Sequence, residues 1–307
     1  MIEIRAPHSG DVAGLAALYR AAFGYEPPEG FWSWKYGAVP GESRQRIALS
    51  GGVVVAHAGA LGLPARWAHG DGIAWQLVDF MGSTAGGGLR SAMVDAGRDL
   101  LADLPRAGDV PFVFGFPSSR HFRLGARAFG YRPWREIPIY RGALPAEEST
   151  PGDVEVEVTE QAGAWSSTVW ERLRLTGVCR SQAFLDWRYY ARPGRYYRFY
   201  RLRRRDTEGF AVFGYAGEEA SAAELWLPEG GDGADLLAAA AADLRGLGMR
   251  NWAFWPPDAL HAALVERVGA RAAGETVFAG CRGRPGEAHP ETLAGDFTLA
   301  MGDYDLV

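Results

Sequence analysis

The stretch Trp75-Gln-Leu-Val-Asp79-Phe-Met-Gly82-Ser-Thr-Ala85-Gly-Gly-Gly88-Leu-Arg90-Ser-Ala-Met-Val-Asp95 decides how the rest of the chain is read. Ile73 to Met81 is apolar and rich in Val, Leu and aromatic residues, which suit a pleated, half-buried strand. Gly82 to Gly88 is a loop of small residues whose missing side chains leave backbone N–H groups uncovered. From Leu89 onward, Met93, Ala96, Leu100, Leu101 and Leu104 recur at helical spacing. Strand, glycine loop and helix N-terminus together suit an anion, because free amides and the helix dipole both favour negative charge. The same three elements also serve as a plain connection. No Gly-Lys-Ser/Thr follows, so the loop is not a P-loop, and the spaced glycines of a dinucleotide fold are absent.

Working outward, Ile2 to Arg5 reads as a strand. Asp11 is placed to cap a helix with Val12, Leu15, Leu18, Tyr19, Ala22 and Phe23 on one face. Arg46 to Leu49 and Val53 to Leu63 form a hairpin across Ser50-Gly51-Gly52. Val110 to Phe116 is a continuous apolar run, typical of a strand buried on both faces. Pro117 ends it, and Ser118 or Ser119 caps a helix reaching Phe129. A last strand falls near Ile137 to Tyr140.

A second pass through the same plan begins after Leu144-Pro-Ala-Glu-Glu-Ser-Thr-Pro-Gly152, a polar, turn-rich stretch expected to link two domains. Val154 to Val158 reads as a strand and Trp165 to Leu175 as a helix. Phe184-Leu-Asp-Trp-Arg-Tyr-Tyr-Ala-Arg-Pro-Gly194 lies in register over Phe31-Trp-Ser-Trp-Lys-Tyr-Gly-Ala-Val-Pro-Gly41. Phe254-Trp255-Pro256 matches Gly115-Phe116-Pro117, and Gly130-Tyr131-Arg132 and Gly269-Ala270-Arg271 come at the same distance beyond them. Two blocks repeating in the same order imply an internal duplication. Its period is far too long for a solenoid. The expected division is 1–143, a linker 144–152, a second domain 153–285 and a tail 286–307. The counterpart of the glycine loop, Pro228 to Asp235, carries three carboxylates that would repel a phosphate. The first half is therefore the expected binding half.

Composition bounds the function classes. The 307 residues are 48% hydrophobic with a net charge of −5, as in a globular protein of two domains with no broad affinity for nucleic acid. No apolar run approaches the ~18 residues that cross a bilayer, and no leader precedes the first strand, so a cytoplasmic protein without membrane contact is expected. Cys179 and Cys281 are too few and too isolated for a disulfide framework or a zinc site, and no metal is expected. Lys35 is the only lysine; arginine carries the remaining positive charge.

The order of elements and the motifs quoted above resemble the Gcn5-related N-acetyltransferases (GNAT), in the tandem arrangement of some bacterial members. The resemblance covers both halves to about Arg284. It implies an α+β fold: two GNAT-like domains, each a mixed, mostly antiparallel sheet flanked by helices, the second one degenerate. It also implies acetyl-coenzyme A or another acyl-coenzyme A as co-substrate. Ala85, Gly86, Gly87, Gly88, Leu89, Arg90 and Ser91 then form the pyrophosphate loop. Val78 and Phe80 lie on the strand facing the pantetheine arm, and Ser118 starts the helix after a splayed strand. Three positions depart from the family pattern. Ala85 stands where Gln or Arg is usual, Arg90 where Gly or Ala is usual, and Ala126 where many members carry a tyrosine acid. The implied activity is N-acylation of a small primary amine, such as an amino sugar or a biosynthetic intermediate. Two alternatives remain open: an aminoacyl-tRNA-dependent transferase on the same fold, and a non-catalytic ligand-binding pair.

Direct transfer from a thioester to an amine needs a neutral amine and a stabilised oxyanion, but no covalent intermediate. Asp79 on the opening strand is the best-placed carboxylate for the amine; it equally fits a hydrogen-bonded strand position. Asp303 and Asp305 in the tail are placed to close over an amine or to sit in a solvated acidic end. His57 and His121 are candidates for proton relay or for ordinary structural roles. Trp34 and Tyr36, with Trp32, can shape a substrate pocket, although the repeat of the pattern at Trp187 and Tyr189 favours packing. Arg195 to Arg205 mixes arginines with aromatics. As a strand neither of its faces is purely basic, so a charge-protected edge strand is expected rather than an RNA groove.

Overall fold

The computed structural model describes residues 1–68, 70–83, 89–104, 112–145, 154–173, 175–205, 207–227, 232–256, 258–283 and 297–304, apart from the side chains of 89, 90, 119, 216 and 232. Contacts divide the chain into two compact units, Met1–Arg135 with Phe278–Asp296 and Glu136–Val277 with Phe297–Val307.

In the first unit β1 (Ile2–Arg5) leads to α1 (Val12–Phe23), β2 (Glu42–Ser50), β3 (Val53–Trp67) and β4 (Gly70–Gly82). Then come α2 (Leu89–Asp103), β5 (Phe112–Gly115) and α3 (Ser119–Phe129), with β6 (Arg132–Ala143) leaving the unit. Gly24, in the left-handed conformation at φ 84°, ends α1. Asp11 does not cap α1 as expected: its carboxylate accepts from the His8 N–H and from both terminal nitrogens of Arg5. The strand–loop–helix read from residues 73–104 is present as β4 and α2. The loop itself, Ala85 to Gly88, lies outside the described residues. Small residues decide how α2 seats: Ala92 and Ala96 pack on Ala56, Ala58 and Ala60 of β3, all fully buried, so the helix approaches the sheet closely.

The second unit runs β7 (Glu155–Thr159), α4 (Trp165–Leu173), β8 (Thr176–Val178), α5 (Gln182–Leu185), β9 (Tyr197–Arg204), β10 (Thr207–Ala216) and β11 (Glu219–Trp226). It continues through α6 (Asp232–Gly246), β12 (Asn251–Phe254), α7 (Ala259–Arg267), β13 (Arg271–Arg282) and β14 (Phe297–Thr298). Leu236, Leu237, Ala240, Ala241 and Leu244 of α6 bury against Ala211, Phe213 and Ala220 of the sheet.

The sheets repeat each other strand for strand. In unit 1 the order is β1-β2-β3-β4-β5 and then the end of β13; in unit 2 it is β7-β9-β10-β11-β12 and then the end of β6. Along both, three antiparallel pairings lead to one parallel pairing and a final antiparallel one. Each half of the sequence thus supplies the sixth strand of the other unit: Gly280 to Arg282 pair with β5, and Tyr140 to Ala143 pair with β12. The division crosses β6 and β13, whereas the linker read at 144–152 lies mostly outside the described residues. Among the described residues no helix is long and apolar enough to cross a membrane.

Candidate functional site

The site is organised by a defect in β4. Pairing between β3 and β4 slips between His57↔Met81 and Gly59↔Val78, which places one extra residue on β4 at Asp79–Phe80. On the other side β4 pairs with β5 only as far as Gln76↔Phe114. Beyond Gln76 the two strands part, and Val78, Asp79 and Phe80 border the resulting fork. At the mouth of the fork Phe116 and Pro117 lead to Ser118, whose hydroxyl accepts the His121 N–H and caps α3. Phe129 anchors the far end of that helix on Phe80, ring centroids 5.7 Å apart.

Asp79 sits in the bulge with φ 50°, a left-handed conformation costly for residues other than glycine. Three side chains hold it there. Lys35 Nζ donates to the carboxylate at 2.8 Å and Tyr36 Oη donates to Oδ2 at 2.6 Å. His57 Nδ1 lies 2.8 Å from the Asp79 carbonyl, while its Nε2 faces the Gln45 side-chain amide at 3.2 Å. A ring proton on Nδ1 donates to the carbonyl, and in the neutral ring Nε2 then accepts from the Gln45 amide turned to present its nitrogen. Lys35 and Tyr36 reach the bulge because residues Ser33–Gly37 form a π-helical turn, which swings both side chains inward. Gly59 makes room: a Cβ there would stand 2.2 Å from Tyr36 Oη.

This arrangement reassigns several candidates. Asp79 is 5% exposed at its side chain and both oxygens accept a hydrogen bond, which ties the carboxylate to Lys35 and Tyr36. Trp34 and Tyr36 are nearly buried and His57 wholly so, and Tyr36 and His57 both bond to Asp79. Trp32 stacks on Tyr36 with ring centroids 5.8 Å apart. Val78 is buried and Phe80 half-buried on the fork, Ser91 lies on the exposed first turn of α2, and Ser118 and His121 are exposed at the start of α3. Leu89 and Arg90 open α2, and their side chains lie outside the description, as does Asp305.

Unit 2 repeats the device. The register between β10 and β11 slips between Val212↔Glu224 and Phe213↔Ala222, and the parallel pairing of β11 with β12 ends at Ser221↔Ala253. Glu224 therefore stands three residues past the last parallel pair, as Asp79 does past Gln76. Tyr189, the repeat of Tyr36 and again in a π-helical turn (Asp186–Tyr190), donates to Glu224. What differs is the content of the fork. Arg188, the repeat of Lys35, donates to the carbonyls of Gly302 and Tyr304, both at 2.9 Å. Gly302 is so close that a Cβ would stand 1.8 Å from Tyr189 Oη and 2.9 Å from the Ala223 carbonyl. Tyr304 meets Trp255 beyond β12, ring centroids 5.4 Å apart. The C-terminal segment thus spans the fork of unit 2 from the bulge to the strand opposite.

A buried ionic cluster locks that segment in place. Arg180 donates to Glu224 at 3.0 Å and to Asp303 at 2.8 Å, and all three side chains are inaccessible. Burial works against the Arg180 charge, but Asp303 and Glu224 outweigh it and raise its pKa; burial raises those of Glu224 and Tyr189. Asp303 is an internal anchor of unit 2, paired with Arg180 and accepting from the Ala300 N–H. Arg180 and Glu224 carry no signal in the sequence that marks them for this role. Lys35 does carry one: it is the only lysine and it aligns with Arg188.

Burial lowers the pKa of His57, with the Asp79 carboxylate opposing and Lys35 assisting the shift. A histidine held below its ordinary pKa takes up a proton more readily in the unfolded chain than in the native one. Stability therefore falls as pH drops below about 6.5, by up to about 1.4 kcal/mol per pH unit. Unfolding at pH 7.5 and 5.5 should show this loss in the wild type and a smaller one in His57→Gln. Equal losses in the two proteins would remove His57 as its source.

The arginine-rich strand β9 is not an edge strand: β7 pairs along its outer side. Arg198 pairs with Asp243, Arg201 with Glu157 and Glu208, Arg203 with Glu155, and Arg204 with Asp235. Four of the arginines in this stretch are thus ion-paired within the unit.

Neither a scan against protein-family models nor a search of curated proteins finds a match. Solved structures do match. A GCN5-related N-acetyltransferase from Anabaena variabilis superposes with a TM-score of 0.69 at 11% identity, over 92% of this chain and 72% of that one. A tandem GNAT protein from the clavulanic acid biosynthesis pathway superposes with a TM-score of 0.62 at 12% identity, over 94% of this chain and 100% of that one. The chain has the GNAT fold. A third GNAT structure, from Kribbella flavida, matches with a TM-score of 0.63 at 16% identity, over 92% of this chain and 72% of that one.

Proposed function

We propose that unit 1 is an acyl-coenzyme A-dependent N-acyltransferase acting on a small primary amine, and that unit 2 supports it without catalysing. The observation that carries this reading is the contrast between two copies of one device. Both units have a bulged strand parting from its parallel neighbour, but the fork of unit 2 is occupied by Met301 to Tyr304. Unit 1 retains the glycine loop in its sequence, where unit 2 has the acidic Pro228 to Asp235.

The residues of unit 1 fit an acyl-pantetheine arm. Val78 and Phe80 offer an extended backbone edge on the side where β5 has parted. Ala85 to Ser91 would take the diphosphate through backbone amides and the α2 dipole. Bound there, the coenzyme supplies an activated thioester carbonyl. The chain's part is to hold that carbonyl at the bulge, where backbone N–H groups of residues 78–80 can meet the developing oxyanion. The amine nitrogen bonds to the carbonyl carbon and loses a proton. The C–S bond breaks and the thiolate takes up one proton.

Turnover of acetyl-coenzyme A, measured as thiol release over a panel of amines and amino sugars, tests the reading. Release with at least one amine, abolished by Gly88→Glu in the loop, supports it. Absence of release with acetyl- and longer acyl-coenzyme A across the panel would place the chain with the non-catalytic alternative.

A further inference from the structure

The charges of unit 1 are distributed unevenly in a way the acyl-transfer site does not use. From residue 1 to 104 every described Arg and Lys side chain has a carboxylate partner: Arg5, Arg20, Lys35, Arg44, Arg46, Arg66 and Arg98. From Val110 to Arg135 the sequence has five arginines and no Asp or Glu. Four of them, Arg120, Arg123, Arg127 and Arg132, are exposed, and none has a carboxylate partner among the described residues. The first three are spaced three and four residues apart on α3, so they form one stripe. The opposite face of the helix fixes their direction. Phe122 packs on Phe278 at 4.6 Å between ring centroids and Phe129 packs on Phe80, which turns the arginines outward. The stripe begins two residues after Ser118, at the mouth of the fork between β4 and β5.

We propose that this stripe docks an acidic carrier domain that presents its acyl group as a thioester on a phosphopantetheine arm. The proposal rests on the acyl-transfer reading of the same fork and specifies a donor for it. Pantetheine is common to coenzyme A and to such carriers, so the fork serves either donor. The two donors differ beyond the phosphate, where one has a nucleotide and the other a protein surface. From Arg120 to Arg127 the stripe runs ~10 Å along the helix. That length matches several carboxylates spread over a protein surface. A local cationic patch on a chain of net charge −5 also steers one acidic face toward one place. The transfer is unchanged: the amide C–N bond forms, the C–S bond to the arm breaks, and the arm leaves as the thiol with the proton lost by the amine.

The test uses an acidic acyl carrier protein, fluorescently labelled and bearing an acetyl-phosphopantetheine arm. Its binding to the full chain is measured by anisotropy at two salt concentrations, with acetyl-coenzyme A binding measured in parallel. Arg120→Glu/Arg123→Glu/Arg127→Glu should weaken carrier binding by at least roughly tenfold and flatten its salt dependence, leaving acetyl-coenzyme A affinity within about twofold. The triple Gln variant, which adds no negative charge, should fall between. Wild-type protein that binds acetyl-coenzyme A but not the carrier overturns the docking proposal alone. So does carrier binding indifferent to the substitutions, or an equal loss for both donors, which would assign the stripe to the coenzyme's own phosphates. Failure of both donors to bind overturns the acyl-transfer reading itself.

Discussion

Arg180→Met should lower the stability of unit 2 by about 3–5 kcal/mol, the cost of leaving buried charge without its partner. Arg180 is the shared cation of Glu224 and Asp303, and no part of the three side chains reaches solvent. Without it two carboxylates face each other in the interior, and the segment carrying Gly302 and Tyr304 loses the bond that closes it. Thermal unfolding should show a drop of roughly 6–20 °C for a domain of this size. Arg180→Met combined with Glu224→Gln and Asp303→Asn should recover much of the loss, because buried charge is then removed on both sides. A loss below about 1 kcal/mol for the single variant would mean that the cluster is open to water and that Arg188 and packing suffice to hold the segment.

The second large effect is expected in unit 1. Lys35→Met leaves the Asp79 carboxylate buried in the bulge with the neutral Tyr36 hydroxyl as its remaining partner, again costing about 3–5 kcal/mol. The functional consequence separates two roles for Asp79. A general base replaced by Asn loses turnover with stability intact. A residue that holds the left-handed bulge loses both, because Val78 and Phe80 shift with it. Asp79→Asn should therefore lower stability and acyl-coenzyme A affinity together. The pair Lys35→Met/Asp79→Asn should be less damaging than the sum of the singles, showing coupling. Asp79→Asn with native stability and affinity but no turnover would restore the base assignment.

Much of the fold was legible because its signals are local. The apolar stretch before Gly82, the glycine loop and the helical spacing after Leu89 placed β4 and α2, and the Trp-basic-Tyr block announced the duplication. The exchange of the sixth strands was not legible. Residues 137–140 and 271–282 are strand-like in composition, and composition says nothing of which sheet a strand joins. The site was half legible for the same reason. Asp79 was singled out, but its partners lie 43 and 44 residues away in sequence, and Arg180 and Asp303 are separated by 123. Trp34, Tyr36 and His57 admitted two readings because aromatics and histidine serve pockets and cores alike, and the sequence does not show how deeply they are buried. The strand β9 was expected at an edge because nothing local in its sequence shows that β7 pairs outside it, or that its arginines meet carboxylates of β7, β10 and α6.

A chain built this way should hold one acyl-coenzyme A site, in unit 1, with the equivalent fork of unit 2 filled by the chain's own end. A calorimetric titration with acetyl-coenzyme A counts the sites directly. The expected result is a single site per chain, lost in Gly88→Glu and retained in Arg188→Gln. Two sites per chain, or one site that survives Gly88→Glu and disappears with Arg188→Gln, would contradict it.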